Sequence, residues 1–71
     1  MSEIIAEMAA SVWKIEKAVG DRVGTGDTIM ILESMKMEIP VEAEEPGTIV
    51  EIPVAEGDAI NLDDVLVRLS D

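Results

Sequence analysis

Residues 38–43 of this chain alternate polar and apolar side chains, the period-two signature of a strand with one buried face. Residues 28–32 and 65–69 read as two further strands, both rich in Ile, Leu and Val. Pro40 lacks an N–H, which places the 38–43 strand at a sheet edge or turns that position away from the ladder. Val12 and Ile15 are spaced by three rather than two, and so are Ile49 and Ile52. The same phase break in two places predicts a bulge or bend at a corner. Gly20-Asp21, Gly24, Gly26, Pro46-Gly47 and Gly57-Asp58 are turn punctuation. No segment shows sustained helical periodicity with caps. Short strands with regular turn signals predict an all-β fold, a small sandwich or flattened barrel.

The pattern also repeats. A shift of 37 positions lays residues 8–32 on residues 45–69 without a gap. Ile15, Ala18, Gly20, Asp21, Asp27 and Leu32 meet identical residues, and Val12, Val23 and Ile29 meet Ile49, Ile60 and Leu66. Two copies are too few for a solenoid, which needs about three. They predict one domain over residues 1–71 with pseudo-two-fold symmetry, each half completing the core of the other.

Composition supports the strands and narrows the chemistry. Nine Ile and eight Val stand against four Leu, and β-branched side chains favour pleated strands over helices. A domain of 71 residues buries only about 60 % of its unfolded surface, so modest stability is expected. There is no His and no Cys. That excludes a disulfide framework, a zinc ribbon, a thiol nucleophile and a Ser-His-Asp triad. The net charge of −11 repels phosphate backbones, so nucleic acid is not an expected partner. Residues 1–7 carry acids where a signal peptide carries a basic start, and the longest aliphatic run is residues 29–32. A cytoplasmic, monomeric domain away from membranes is expected.

The joint between the two halves holds the candidate chemistry. An apolar strand enters it, an alternating strand leaves it, and a few residues form the turn. Lys36 therefore sits near a hairpin tip, and it is the only Lys after residue 17. Met35 and Met37 flank it, where apolar side chains have little core to join. Soft Met side chains at such a place suit a contact surface. Glu33 and Glu38 flank the same tip. No cleft is suggested between them, so a general acid–base pair is not the expected reading. Trp13 is expected to pack on a strand, in the core or partly exposed.

Glu33-Ser34-Met35-Lys36-Met37 resembles the attachment motif of biotinyl domains, usually Glu-Ala-Met-Lys-Met. The resemblance runs from about Ala6 to Leu69. It takes in Val19-Gly-Asp-x-Val-x-x-Gly-Asp27 before the motif, and Pro46-Gly-Thr-Ile-Val-Glu-Ile and Glu56-Gly-Asp-Ala-Ile after it. It implies a barrel-sandwich hybrid of two four-stranded antiparallel sheets. It also implies biotin in amide linkage to Lys36, installed by a biotin protein ligase, with Glu33, Ser34, Met35 and Met37 as the recognition motif around it. The biotin ring would then shuttle carboxyl groups between a biotin carboxylase and a carboxyltransferase. The chain itself is expected to be a carrier and not an enzyme.

Glu33-Ser34 is closer to the related lipoyl type, Glu-Ser/Thr-Asp-Lys-Ala, so lipoate on Lys36, attached by a lipoate ligase, is the alternative cofactor. An unmodified β-domain that binds a partner through its Met-lined hairpin is a third reading. Glu7-Met8-Ala9-Ala10 stands where the family often has Pro-Met-Ala-Gly. No segment is available for a thumb loop or a Pro/Ala-rich linker, so the chain is expected to be free-standing or a domain cut to its boundaries.

Overall fold

Residues 2–70 are described by a computed structural model. Their β-branched stretches form eight strands, β1 (Ser2–Ile5), β2 (Ala10–Ile15), β3 (Arg22–Val23), β4 (Thr28–Ser34), β5 (Met37–Glu42), β6 (Gly47–Glu51), β7 (Ala59–Ile60) and β8 (Val65–Ser70). The expected strands at 28–32, 38–43 and 65–69 are β4, β5 and β8. β3 and β7 have two residues each, too few to show a period in sequence. The strands make two four-stranded antiparallel sheets, ordered β1-β8-β6-β3 and β5-β4-β2-β7. The sheets do not close into a continuous barrel. β5 is an edge strand, as Pro40 requires.

The pairing obeys the 37-residue shift. Ser2 faces Leu69 as Ile39 faces Leu32, and Val12 faces Leu32 as Ile49 faces Leu69. The register breaks between Val12 and Lys14 and again between Ile49 and Glu51, at the two phase breaks of the sequence. Each bulge pushes its extra residue, Trp13 or Val50, outward, leaving them 48 % and 41 % exposed. A second matched pair of irregularities, at Ile4/Ile5 and Thr28/Met30, left no phase signal in the sequence.

The core has the same symmetry. Ala6/Ala43, Val12/Ile49, Val23/Ile60, Ile29/Leu66, Met30/Val67 and Leu32/Leu69 are buried pairs related by the shift. Val41 is buried too, and its mate Ile4 packs against the cluster half-buried. Ala6/Ala43 extends the structural repeat upstream of residue 8.

The identical Asp residues are explained by their turns. Asp21 accepts the Ala18 N–H at 2.9 Å, and Asp58 accepts the Ala55 N–H at 2.9 Å. Asp27 and Asp64 accept the Gly24 and Asn61 N–H groups, both at 2.8 Å. Each is a carboxylate closing a turn on a backbone donor three residues earlier.

The mates Gly26 and Asp63 both occupy the left-handed region, at φ 88° and 74°. Gly adopts this φ freely and Asp at a cost. Asp63→Gly should therefore raise stability, by about 0.5 kcal/mol, read as a higher urea midpoint at unchanged slope. A lower midpoint would show that the Asp63 side chain contributes more than its backbone strain removes.

Gly47 lies in β6, and a Cβ there would stand 2.6 Å from the Ser70 carbonyl oxygen and 3.4 Å from Leu69 Cβ. Its mate Ala10 carries a Cβ as the half-buried first residue of β2. The departure at Ala10 noted in the sequence thus falls on a strand. Gly47→Ala should cost about 1–3 kcal/mol, because backbone must move to admit the methyl group. Equal stability of Gly47→Ala and wild type in urea denaturation would contradict this packing.

Candidate functional site

Lys36 is placed by the β4–β5 hairpin. Six cross-strand pairs run from Thr28–Glu42 to Ser34–Met37, leaving Met35 and Lys36 as a two-residue turn. Their φ angles are 52° and 65°, both left-handed, as in a type I′ turn whose twist matches the flanking strands. Such turns favour Asn-Gly, and an ordinary L-residue in this region costs on the order of 1–2 kcal/mol. The strain sits at the site itself, as is common at functional positions. It is held there by Ile29, Met30, Leu32 and Val41, which anchor the base of the hairpin in the core.

The tip side chains face solvent. Met35 is 92 % exposed and Met37 64 %, so neither contributes to the core, and Lys36 is exposed beside them. Met35→Ala and Met37→Ala should move the thermal midpoint by no more than about a degree or two, since exposed substitutions stay within about 0.5 kcal/mol. Calorimetry checks this directly; a loss near 2–5 kcal/mol, the cost of emptying a core Met position, would contradict it.

Glu33 and Glu38 face each other across β4 and β5, both exposed. Like charges in that register oppose pairing, so they serve the surface rather than the sheet. Glu33 also faces Ser11, and Ser34 is half-buried opposite Met37. All five motif residues are thus brought into one hairpin.

No enclosed site accompanies the tip. The groove found among the described residues runs between edge strands β1 and β5 and is not lined by residues 33–38. No three His, Cys, Asp or Glu among the described residues gather in a metal-holding group. Among the described residues no helix is long and apolar enough to cross a membrane. Lys14 lies mid-strand in β2 opposite Ile31, and Lys17 follows that strand, its N–H donating to the Ile29 carbonyl at 3.2 Å.

On the other sheet, Arg68 bridges Glu3 and Glu51 across three strands, with Nε 2.8 Å from Glu3 Oε2. The hydrogen bond that the guanidinium donates to Glu3, and then the one it donates to Glu51, hold Arg68 above its usual pKa. The equivalent row beside the lysine hairpin is Pro40, Ile31 and Lys14, with no such clasp.

A small two-fold β-sandwich presenting one lysine on a strained hairpin defines a class of carrier. The family described as biotin-requiring enzyme, of the biotin/lipoyl type, matches residues 1–69. The chain is 45 % identical over 64 residues to the biotin/lipoyl attachment protein of Bacillus subtilis, covering 90 % of this chain and 88 % of that one. It is 41 % identical over 68 residues to the biotinylated protein TB7.3 homolog of Mycobacterium leprae, covering 96 % of both. Among solved structures, the urea carboxylase of Kluyveromyces lactis contains a region that matches 97 % of this chain with a TM-score of 0.90 and 32 % identity. That region is 6 % of the carboxylase chain. The chain belongs to the biotin-requiring enzyme family.

Proposed function

We propose that the chain is a biotin carrier in which Lys36 holds biotin through an amide bond. The observation that carries this reading is the placement of Lys36 on an exposed, strained tip between two exposed methionines. Similarity to the biotinylated protein TB7.3 homolog supports biotin as the group carried. The domain shuttles carboxyl groups between a biotin carboxylase and a carboxyltransferase. When bound, biotin supplies the ring nitrogen on which the carboxyl group travels. The residues of this chain bind it covalently, extend it from a rigid base and leave its surroundings open to partner sites. The chain is the substrate of a biotin protein ligase and works as a monomer in the cytoplasm.

A free carboxylate resists attack by an amine, because its oxygen is a poor leaving group. Attachment therefore needs an activated acyl donor. The deprotonated Lys36 amine attacks the acyl carbon of a biotinyl-adenylate. The new C–N bond replaces the C–O bond to phosphate, AMP departs, and the second amine proton passes to solvent or a ligase base. The product is a neutral amide, so the chain moves from −11 to −12.

Lipoate on the same Lys36 is the second reading, favoured by Glu33-Ser34 ahead of the tip. Intact-mass measurement after incubation with each cognate ligase, its acid and ATP separates the two. A biotin-sized adduct with the biotin ligase, and none with biotin alone, is expected. A lipoyl-sized adduct only would move the assignment to lipoate, and no adduct from either would overturn attachment.

A further inference from the structure

The two halves of the fold provide an internal control. Where both build the same turn, a residue found in only one half is not required by the fold. Ile5, Met8 and Leu62 are 45 %, 46 % and 61 % exposed. Their mates under the 37-residue shift are Glu42, Glu45 and Thr25, all exposed and polar. The local backbone is the same in both halves. Ala6 N–H donates to the Asp64 carbonyl at 2.8 Å and Asp63 N–H to the Ala6 carbonyl at 2.9 Å. Ala43 N–H donates to the Asp27 carbonyl at 2.9 Å and Gly26 N–H to the Ala43 carbonyl at 2.8 Å. The apolar trio is therefore dispensable for folding.

The trio is also placed together. All three residues line the groove between β1 and β5 at one end, and their mates Glu42, Glu45 and Thr25 line it at the other. The trio stands at the end of the molecule that presents Lys36. Met8 leads into β2 and Leu62 follows β7 where Ala10 faces Ile60, and one residue on, Ser11 faces Glu33 near the hairpin tip. Ile5 pairs with Val65, which follows the Leu62 turn. Their polar mates lie at the opposite end, where Ser70 faces Thr48. With Met35 and Met37, five of the eight exposed large hydrophobic residues gather at the lysine end. Exposed apolar clusters of this kind mark interaction surfaces.

We propose that Ile5, Met8 and Leu62 form the docking surface for the enzyme that acylates Lys36; this rests on the carrier reading above. The occupant follows from reach and charge. An unmodified lysine amine extends only about 6 Å from its Cα. An enzyme joining an acyl group to it must bring its active-site rim down onto the surface beside the tip. The acylated arm reaches at least about twice as far, so later partners can engage it without that contact. A second copy of the chain is disfavoured, because each carries −11. The complementary rim is apolar, edged by cations that meet Glu33 and Glu38.

The test uses ligase kinetics on two triple variants. One transplants the other half, Ile5→Glu, Met8→Glu and Leu62→Thr. The other is neutral, Ile5→Thr, Met8→Gln and Leu62→Thr. With biotin protein ligase, biotin and ATP, KM for the domain should rise about tenfold in the neutral variant and further in the acidic one. kcat should stay within about twofold, and circular dichroism should show the wild-type fold. Carboxylation of the fully biotinylated variants by a biotin carboxylase should match wild type within about twofold. Wild-type KM in both variants, with normal labelling of the parent chain, overturns the docking surface alone. An equal rise in KM for the carboxylase overturns its assignment to the acylating enzyme. No labelling of the parent chain by biotin or lipoate ligase overturns the carrier reading and the docking surface together.

Discussion

Lys36→Arg is expected to abolish attachment while leaving the fold unchanged. Arginine keeps the charge and most of the stem, but its guanidinium stays protonated and does not act as an acyl acceptor. The side chain is exposed and the turn is set by backbone and cross-strand pairs, so the thermal midpoint should shift by no more than about a degree or two. Lys14 and Lys17 offer no replacement. Lys14 projects from the middle of β2, and Lys17 is half-buried beside a backbone bond to Ile29. Neither stands on a turn or between methionines. The expected loss in ligase-dependent labelling is at least about a thousandfold, from the absence of a nucleophile rather than weakened binding. Residual labelling near one-tenth of wild type would show that another amine serves.

Leu69→Ala and Leu32→Ala should be the most destabilising single changes argued from this structure, and they should cost similar amounts. The two residues are mates under the repeat, 2 % and 3 % exposed, each opposite a mate of the other pair, Ile49 or Val12. Emptying such a position costs about 2–5 kcal/mol, transfer and cavity together. A 71-residue domain has only about 4–10 kcal/mol to lose. Urea denaturation should show both midpoints lowered by a large fraction of the total. Costs differing by more than about 2 kcal/mol would mean that one half carries the core and the two-fold packing does not.

The repeat made much of this fold legible. Strand β5 shows its period in sequence, β4 and β8 are marked by their runs of Ile, Leu and Val, and the spacing of Val12 to Ile15 and Ile49 to Ile52 marks two of the bulges. The hairpin and the place of Lys36 at its tip between Met35 and Met37 were readable from the joint between the halves, whereas the five-residue motif rests on the family resemblance. Three features were not readable. β3 and β7 are two residues long and exist only through pairing with β6 and β2. The left-handed pair Met35-Lys36 carries no Gly or Asn to announce it, because the core beneath holds it in place. The patch of Ile5, Met8 and Leu62 draws on β1, the segment before β2 and a turn more than fifty residues later, so only the folded chain assembles it.

Part of the acidity has a structural role. Asp21, Asp27, Asp58 and Asp64 close turns, Glu56 accepts the Ile15 N–H at 2.9 Å, and Glu3 and Glu51 hold Arg68. Seven of sixteen acids thus have named partners. The pair at Glu33 and Glu38 has none among the described residues and flanks the tip that carries Lys36.

In the proposed function a single amine of this chain carries the group. Peptide mapping by tandem mass spectrometry, on wild-type chain labelled by biotin protein ligase with biotin and ATP, tests it most directly. A single biotin per chain is expected, on the peptide containing Lys36 and absent from those containing Lys14 and Lys17. Biotin on Lys14 or Lys17, or spread over all three lysines, would contradict it.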